Sequence, residues 1–167
     1  TRIAPGETLE PACTSWPWRG EEWHKLWEEL RSDARLGALE ESPAWIQGGE
    51  IDPLTLAKAQ RNAKAAGVRA EIEWVERDAR SFDLPQGPGW IVCNPPYGER
   101  LEDVERAERL MAEFCAKWKE TKGFTLAVIG PWESMENWTG CPTSRKIPLR
   151  NGKIDAFLHV FAPAQPA

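Results

Sequence analysis

The stretch Trp90-Ile91-Val92-Cys93 runs straight into Asn94-Pro95-Pro96-Tyr97-Gly98-Glu99-Arg100-Leu101, and this junction constrains the fold more than any other part of the chain. A short apolar run that breaks at a polar amide and two prolines reads as a buried parallel strand whose carboxyl end opens onto a ligand crevice. Neither proline can extend the strand, because each lacks an amide hydrogen and has φ locked at about −65°. The turn is therefore stiff, and the Asn94 amide and the Pro95 carbonyl are held in set directions. Tyr97, the one tyrosine of the sequence, follows directly.

Two acceptors and an aromatic face in so short a segment suit methylation of an exocyclic base amine. The lone pair of such a nitrogen is delocalised into the ring. The Asn94 amide oxygen and the Pro95 carbonyl can draw its two hydrogens out of plane and localise the pair for attack. Tyr97 offers a stacking surface for a base lifted out of its strand, worth about 1–3 kcal/mol. No perturbed general base is required, since the amine sheds its proton after attack. Read from these four residues alone, a simple strand-ending turn remains the alternative.

At 167 residues, 41% hydrophobic and 28% charged, the chain has room for one domain with a real core. Its ten tryptophans are unusual, and five of them, Trp16, Trp18, Trp23, Trp27 and Trp45, suggest packing of a helical layer before they suggest base stacking. Cys13, Cys93, Cys115 and Cys141 are widely spaced, and with only His24 and His159 to assist them they predict reduced thiols and no metal site. No apolar run approaches the ~20 residues of a membrane span, and no signal-peptide pattern opens the chain, so a cytoplasmic protein without membrane contact is expected. The net charge of −5 argues against strong nucleic-acid affinity from this chain alone.

In chain order, Thr1 to Arg19 is irregular and punctuated by Pro5, Pro11 and Pro17. Gly20 to about Leu39 is an expected amphipathic helix with Trp23, Leu26, Trp27, Leu30 and Ala34 inward, so residues 1–43 form an irregular and helical excursion before a sheet-forming core at 44–161. Ala44-Trp45-Ile46-Gln47 begins a short strand that leads through Gly48-Gly49 to Glu50-Ile51-Asp52-Pro53, and Leu54 to Ala66 is a helix closed by Gly67. Glu71 to Glu76 alternates as a half-buried strand, followed by Arg77-Asp78-Ala79-Arg80. A helix from Val104 to Lys119 turns Leu110, Met111, Phe114 and Trp118 inward, and Phe124 to Ile129 is a second fully buried strand. Arg145 to Leu149 and Lys153 to Phe161 flank Asn151-Gly152, a strong hairpin signal. Arg145, Lys146, Arg150 and Lys153 make a basic patch there, for which a solvated hairpin is the default reading.

Asn94-Pro95-Pro96-Tyr97 resembles motif IV of the S-adenosylmethionine-dependent amino-methyltransferases. With Gly98-Glu99-Arg100-Leu101 the string is similar to the RNA branch associated with THUMP domains, which includes the bacterial large-subunit ribosomal RNA guanine-N2 methyltransferases. The resemblance implies a Rossmann-like class I methyltransferase fold, α/β with a mostly parallel sheet and a C-terminal antiparallel hairpin, using S-adenosylmethionine as cofactor and ribosomal RNA as partner. It gives Asn94, Pro95, Pro96 and Tyr97 the catalytic positions, Glu50 the ribose hydroxyls, Ile51 the adenine ring, and Asp78 with the Ala79 backbone the adenine amine. On local grounds Glu50 and Asp52 also read as caps of the following helix, and Asp78 as a turn former. Arg2-Ile3-Ala4-Pro5-Gly6 resembles the end of the family's first helix.

The family's opening strand and glycine-rich loop find no counterpart before Glu50, so the chain is expected to be a fragment that lacks the first strand and the preceding THUMP domain. In the family fold that strand lies in mid-sheet, so direct pairing of two half-sheets, or a strand supplied by a partner, are the expected substitutes. A non-catalytic RNA-binding or interaction remnant, and methylation of adenine N6, stand as alternative functions.

Overall fold

The computed structural model describes residues 20–39, 41–85, 87–97, 101–152 and 154–163. They fall into two compact units, Thr1–Arg77 and Asp78–Ala167.

In the first unit, helix α1 (Glu21–Leu36) precedes strand β1 (Gln47–Glu50), helix α2 (Pro53–Ala65), a single 3-10 turn (Arg69–Glu71) and strand β2 (Glu73–Glu76). The two strands pair in parallel from Gln47↔Glu73 to Glu50↔Glu76. Strand β1 starts later than its sequence suggests. Ahead of it, one backbone bond, from Glu73 N to the Ile46 carbonyl at 2.9 Å, is joined by side-chain tethers, with Ser42 N donating to Glu71 Oε2 at 2.6 Å and Trp45 Nε1 to Glu73 Oε2 at 2.9 Å. Gly48 fits because the Trp74 ring lies across it, where an added Cβ would come within 3.1 Å. Strand β2 is likewise shorter than expected, since residues 69–71 coil before it.

Helix α2 forms where its local signals place it. Asp52 accepts from Leu54 N at 3.2 Å and Thr55 N at 3.0 Å, Pro53 takes the first turn, and Gly67 follows at φ +75°. Leu56 and Ala63 are its buried residues. Helix α1 departs from expectation. Leu26 and Leu30, expected inward, are each 53% exposed, and none of its residues is fully buried. Helical periodicity is present, but Leu26 and Leu30 of the stripe stay largely open to solvent. Trp16 and Trp18 lie outside the described residues.

The second unit holds strand β3 (Gly89–Cys93), helix α3 (Leu101–Glu120), strand β4 (Phe124–Gly130), the short helix α4 (Glu136–Thr139), and strands β5 (Arg145–Asn151) and β6 (Ile154–Phe161). Its sheet runs β3-β4-β6-β5. β3 and β4 are parallel, while β6 is antiparallel to both β4 and β5. The C-terminal hairpin is present, with Gly152 at φ +64° just past the last strand residue. Met111, Phe114, Cys115 and Trp118 recur every three or four residues along α3 and pack on Leu126, Val128 and Phe161. The Trp118 indole donates to the Phe124 carbonyl at 2.8 Å, which satisfies the only polar atom that this large ring brings into the core.

β4 is buried along most of its length, with only Thr125 and Ile129 half-buried, as its apolar run requires. β3 is not, and this corrects the reading of its sequence. Ile91 and Cys93 pack against the core, but Trp90 is 65% and Val92 69% exposed. A continuous apolar run signals burial on both faces only when layers exist on both faces. Here β4 is its one strand neighbour among the described residues and one face alone is covered. Of the basic patch, Arg145, Lys146 and Arg150 are exposed on the hairpin, and Lys153 lies outside the described residues. Lys146 bonds the Glu133 carboxylate and lies 3.9 Å from the Phe157 ring centroid, and Arg150 pairs with Asp155 at 3.3 Å.

One-sided burial of β3 has a measurable outcome. Ile91→Ala should lower the free energy of urea unfolding by about 1–3 kcal/mol and Val92→Ala by less than about 0.5 kcal/mol. Equal losses would contradict the one-sided packing.

Candidate active site at the carboxyl end of β3

The turn that leaves β3 places Asn94 at its tip. The Tyr97 hydroxyl donates to the Asn94 side-chain oxygen, a bond that spans the two prolines. That bond fixes which way the amide faces, and it uses one of the two lone pairs on the oxygen. The other remains for a second donor. Asn94 and Pro96 are exposed, whereas Pro95 and Tyr97 are half-buried.

β4 is the parallel neighbour of β3, so the carboxyl ends of both strands lie on one edge of the sheet. Gly130-Pro131-Trp132 leaves β4 there, and the Trp132 ring meets Tyr97 edge to face, with centroids 5.9 Å apart and planes at 88°. Gly130 permits this: an added Cβ would lie 2.3 Å from the Trp132 ring. The Trp132 carbonyl accepts from Nε2 of the buried His159 at 2.8 Å, and its ring meets Trp138 at 5.2 Å. His159 is thus structural, as expected of a lone histidine on an apolar strand.

The loop beyond Trp132 is organised by Glu136. Its carboxylate accepts from the Ser134 and Thr143 hydroxyls and from the Met135 and Thr143 amides, and the bonds from Ser134 and Thr143 above all hold its pKa down to about 2. Sequence reasoning missed Trp132, Trp138 and Glu136. One signal was available, because Ile129-Gly130-Pro131-Trp132 repeats the pattern of apolar run, proline and aromatic seen at Cys93 to Tyr97.

The residues assigned to a nucleoside divide between the units. Glu50 ends β1, half-buried, and its Oε1 accepts from Asp52 N at 2.9 Å, while Ile51 beside it is 60% exposed. Asp52, not Glu50, caps α2. A carboxylate at a strand end with an uncovered apolar side chain next to it fits the ribose and adenine of a nucleoside. Asp78 opens the second unit and does form a turn. It accepts from Arg80 N at 2.8 Å and from the Arg80 guanidinium at 2.9 and 2.6 Å, and Ser81 N donates to its carbonyl at 3.0 Å. Arg80 bonding holds its pKa down to about 2, so the group is an ionised acceptor near neutral pH, with Ala79 exposed beside it. Residues 98–100 lie outside the described set. A cavity of about 660 Å³ in the second unit, lined by Phe82, Pro88, Lys122 and Phe124, opens at the amino ends of β3 and β4 and is remote from Asn94.

The sequence model of the RMKL-like methyltransferase domain matches residues 3–159. This chain belongs to the RMKL-like methyltransferase domain family. It is 29% identical over 140 residues to the ribosomal RNA large subunit methyltransferase K/L of Shewanella sp. (strain MR-4), covering 83% of this chain and 20% of that protein. Among solved structures, one described as a possible methylase from Clostridium difficile 630 superposes with a TM-score of 0.82 at 31% identity, over 99% of this chain and 43% of the other. A methyltransferase solved in complex with SAH, SMU.472, gives a TM-score of 0.81 at 25% identity, over 99% of this chain and 43% of that one. The fold is that of the class I methyltransferases, and the family's methyl donor is S-adenosylmethionine. The chain spans about a fifth of the length of the K/L relative. No helix among the described residues is long and apolar enough to cross a membrane, and no group of metal-ligating side chains occurs among them.

Both depressed carboxylates have folded pKa values below their unfolded ones, so their contribution is complete above about pH 4.5 and is lost as pH falls towards 2. The urea midpoint should fall over this window. Glu136→Gln should start lower and fall less steeply; an unaltered slope would contradict the role of the Glu136 cluster.

Proposed function

We propose that this domain transfers a methyl group from S-adenosylmethionine to an exocyclic amine of an RNA base, with guanine N2 of large-subunit ribosomal RNA as the target. The observation that carries this reading is the Asn94 side-chain oxygen, fixed at the strand tip by Tyr97 and followed by the Pro95 carbonyl. The name of the K/L relative supports RNA as the substrate class.

Asn94 Oδ1, through its remaining lone pair, and the Pro95 carbonyl accept the two amine hydrogens. Pulled out of conjugation, the nitrogen lone pair becomes available for attack. Tyr97 stacks the extruded base, and Pro96 keeps the turn stiff. S-adenosylmethionine, when bound, supplies an electrophilic methyl on a sulfonium. The nitrogen so oriented by Asn94 and Pro95 would take that methyl, leaving the sulfur as a neutral thioether, and would shed its extra proton to solvent. Glu50 would hold the ribose hydroxyls, Ile51 would pack on adenine, and Asp78 with the Ala79 amide would take the adenine edge. An acidic chain of net charge −5 leaves most phosphate contacts to another part of the protein, for which a THUMP domain is the fitting candidate.

Asn94→Ala, in the protein that carries this domain, should reduce transfer at least about a hundredfold while S-adenosylmethionine affinity measured by calorimetry stays within about twofold. Unchanged turnover would contradict the role of the amide. No heat from the wild type at millimolar ligand would instead favour a non-catalytic RNA-binding remnant, and N6-methyladenosine among the nucleosides after reaction would replace guanine with adenine.

A further inference from the structure

We propose that Trp132 is a positioning residue that sets the orientation of the Tyr97 ring for base stacking; this rests on the reading that Tyr97 stacks the target base. A tyrosine in an exposed turn ordinarily has ring and rotamer freedom, and that freedom works against stacking because it must be given up when the base arrives. Tyr97 is pinned at both ends. Its hydroxyl is bonded to Asn94, and its ring stands perpendicular to Trp132 at 5.9 Å. Rotation of the phenol about its own axis would break the perpendicular contact.

Trp132 can serve as a reference only if it is itself immobile, and the surrounding structure makes it so. Its ring is laid over Gly130, where no other residue leaves room. Its carbonyl is tied to the buried His159, and a perpendicular contact with Trp138 backs its ring. Trp138 lies two residues beyond Glu136, whose carboxylate draws Ser134 and Thr143 together. The chain of contacts therefore runs from the β4–β6 pairing, through Trp132, to the ring that receives the base. Trp132 acts through Tyr97 and is assigned no contact with the reacting atoms.

Tyr97 is the sole tyrosine, so ring-labelled tyrosine gives one set of NMR signals that reports directly on this contact. In Trp132→Leu those signals should lose their ring-current shift and average to fast flipping, and Trp132→Phe should restore most of it. With the protein that carries this domain and undermethylated large-subunit ribosomal RNA as probe, Trp132→Leu should lower kcat/KM about three- to tenfold with S-adenosylmethionine affinity unchanged. Trp132→Phe should recover most of that loss. Tyr97→Ala combined with Trp132→Leu should be no worse than Tyr97→Ala alone.

Additive losses in the double variant would overturn the inference, as would an unchanged Tyr97 signal in Trp132→Leu. A loss in Tyr97→Ala with none in Trp132→Leu refutes the inference and leaves the proposed function standing. No loss in Tyr97→Ala refutes the base-stacking reading itself, and the inference with it.

Discussion

The parallel pairing of β3 with β4 is the interaction on which the site depends. Because the two strands run the same way in register from Gly89↔Phe124 to Cys93↔Val128, both leave the sheet at the same edge. Each then breaks at a proline, and each break carries an aromatic residue, Tyr97 from one and Trp132 from the other. An antiparallel pairing would have put Asn94 and Trp132 at opposite ends. β6, antiparallel to β4, adds His159 beneath Trp132, so three strands converge on one exposed turn.

That convergence explains how a turn built mostly of exposed residues can be rigid. Buried turns are held by packing, but Asn94 and Pro96 face solvent. Stiffness comes instead from covalent constraint at Pro95 and Pro96, from the Tyr97–Asn94 hydrogen bond and from the aromatic contact with Trp132. Rigidity of this kind is what an amine-orienting pair of acceptors needs, since an amide free to rotate would present its NH₂ as often as its oxygen.

Much of this was legible in the sequence where the signal is local. Asp52 before Pro53 announced a helix start, Asn151-Gly152 a hairpin, and the spacing of Met111, Phe114 and Trp118 a core face, because each rests on contacts within a few residues. Asn94-Pro95-Pro96-Tyr97 was legible as a strand-ending turn for the same reason. The two-sided burial expected of Trp90 to Cys93 failed because apolar character cannot say which layers are present to cover it, and Leu26 and Leu30 of α1 failed likewise. The meeting of Tyr97 with Trp132 was invisible for a different reason: it depends on strand order and direction, which no local pattern encodes. Asp78 sits between these cases, since its turn-forming role is local and plain, whereas any role towards a nucleoside is set by the rest of the protein.

The exposed Trp90 and Val92, and the pairing of β3 on one side only among the described residues, give this sheet an edge and a face that soluble proteins ordinarily cover. The turn from Asn94 to Tyr97 lies at the tip of that strand. A crystal structure of the protein bound to SAH and a substrate RNA fragment bears most immediately on the proposal that Asn94 and Pro95 hold an exocyclic amine. The amine nitrogen should lie within about 3 Å of both Asn94 Oδ1 and the Pro95 carbonyl, with the base flat against Tyr97. A base seated elsewhere, with its amine out of reach of both oxygens, would contradict it.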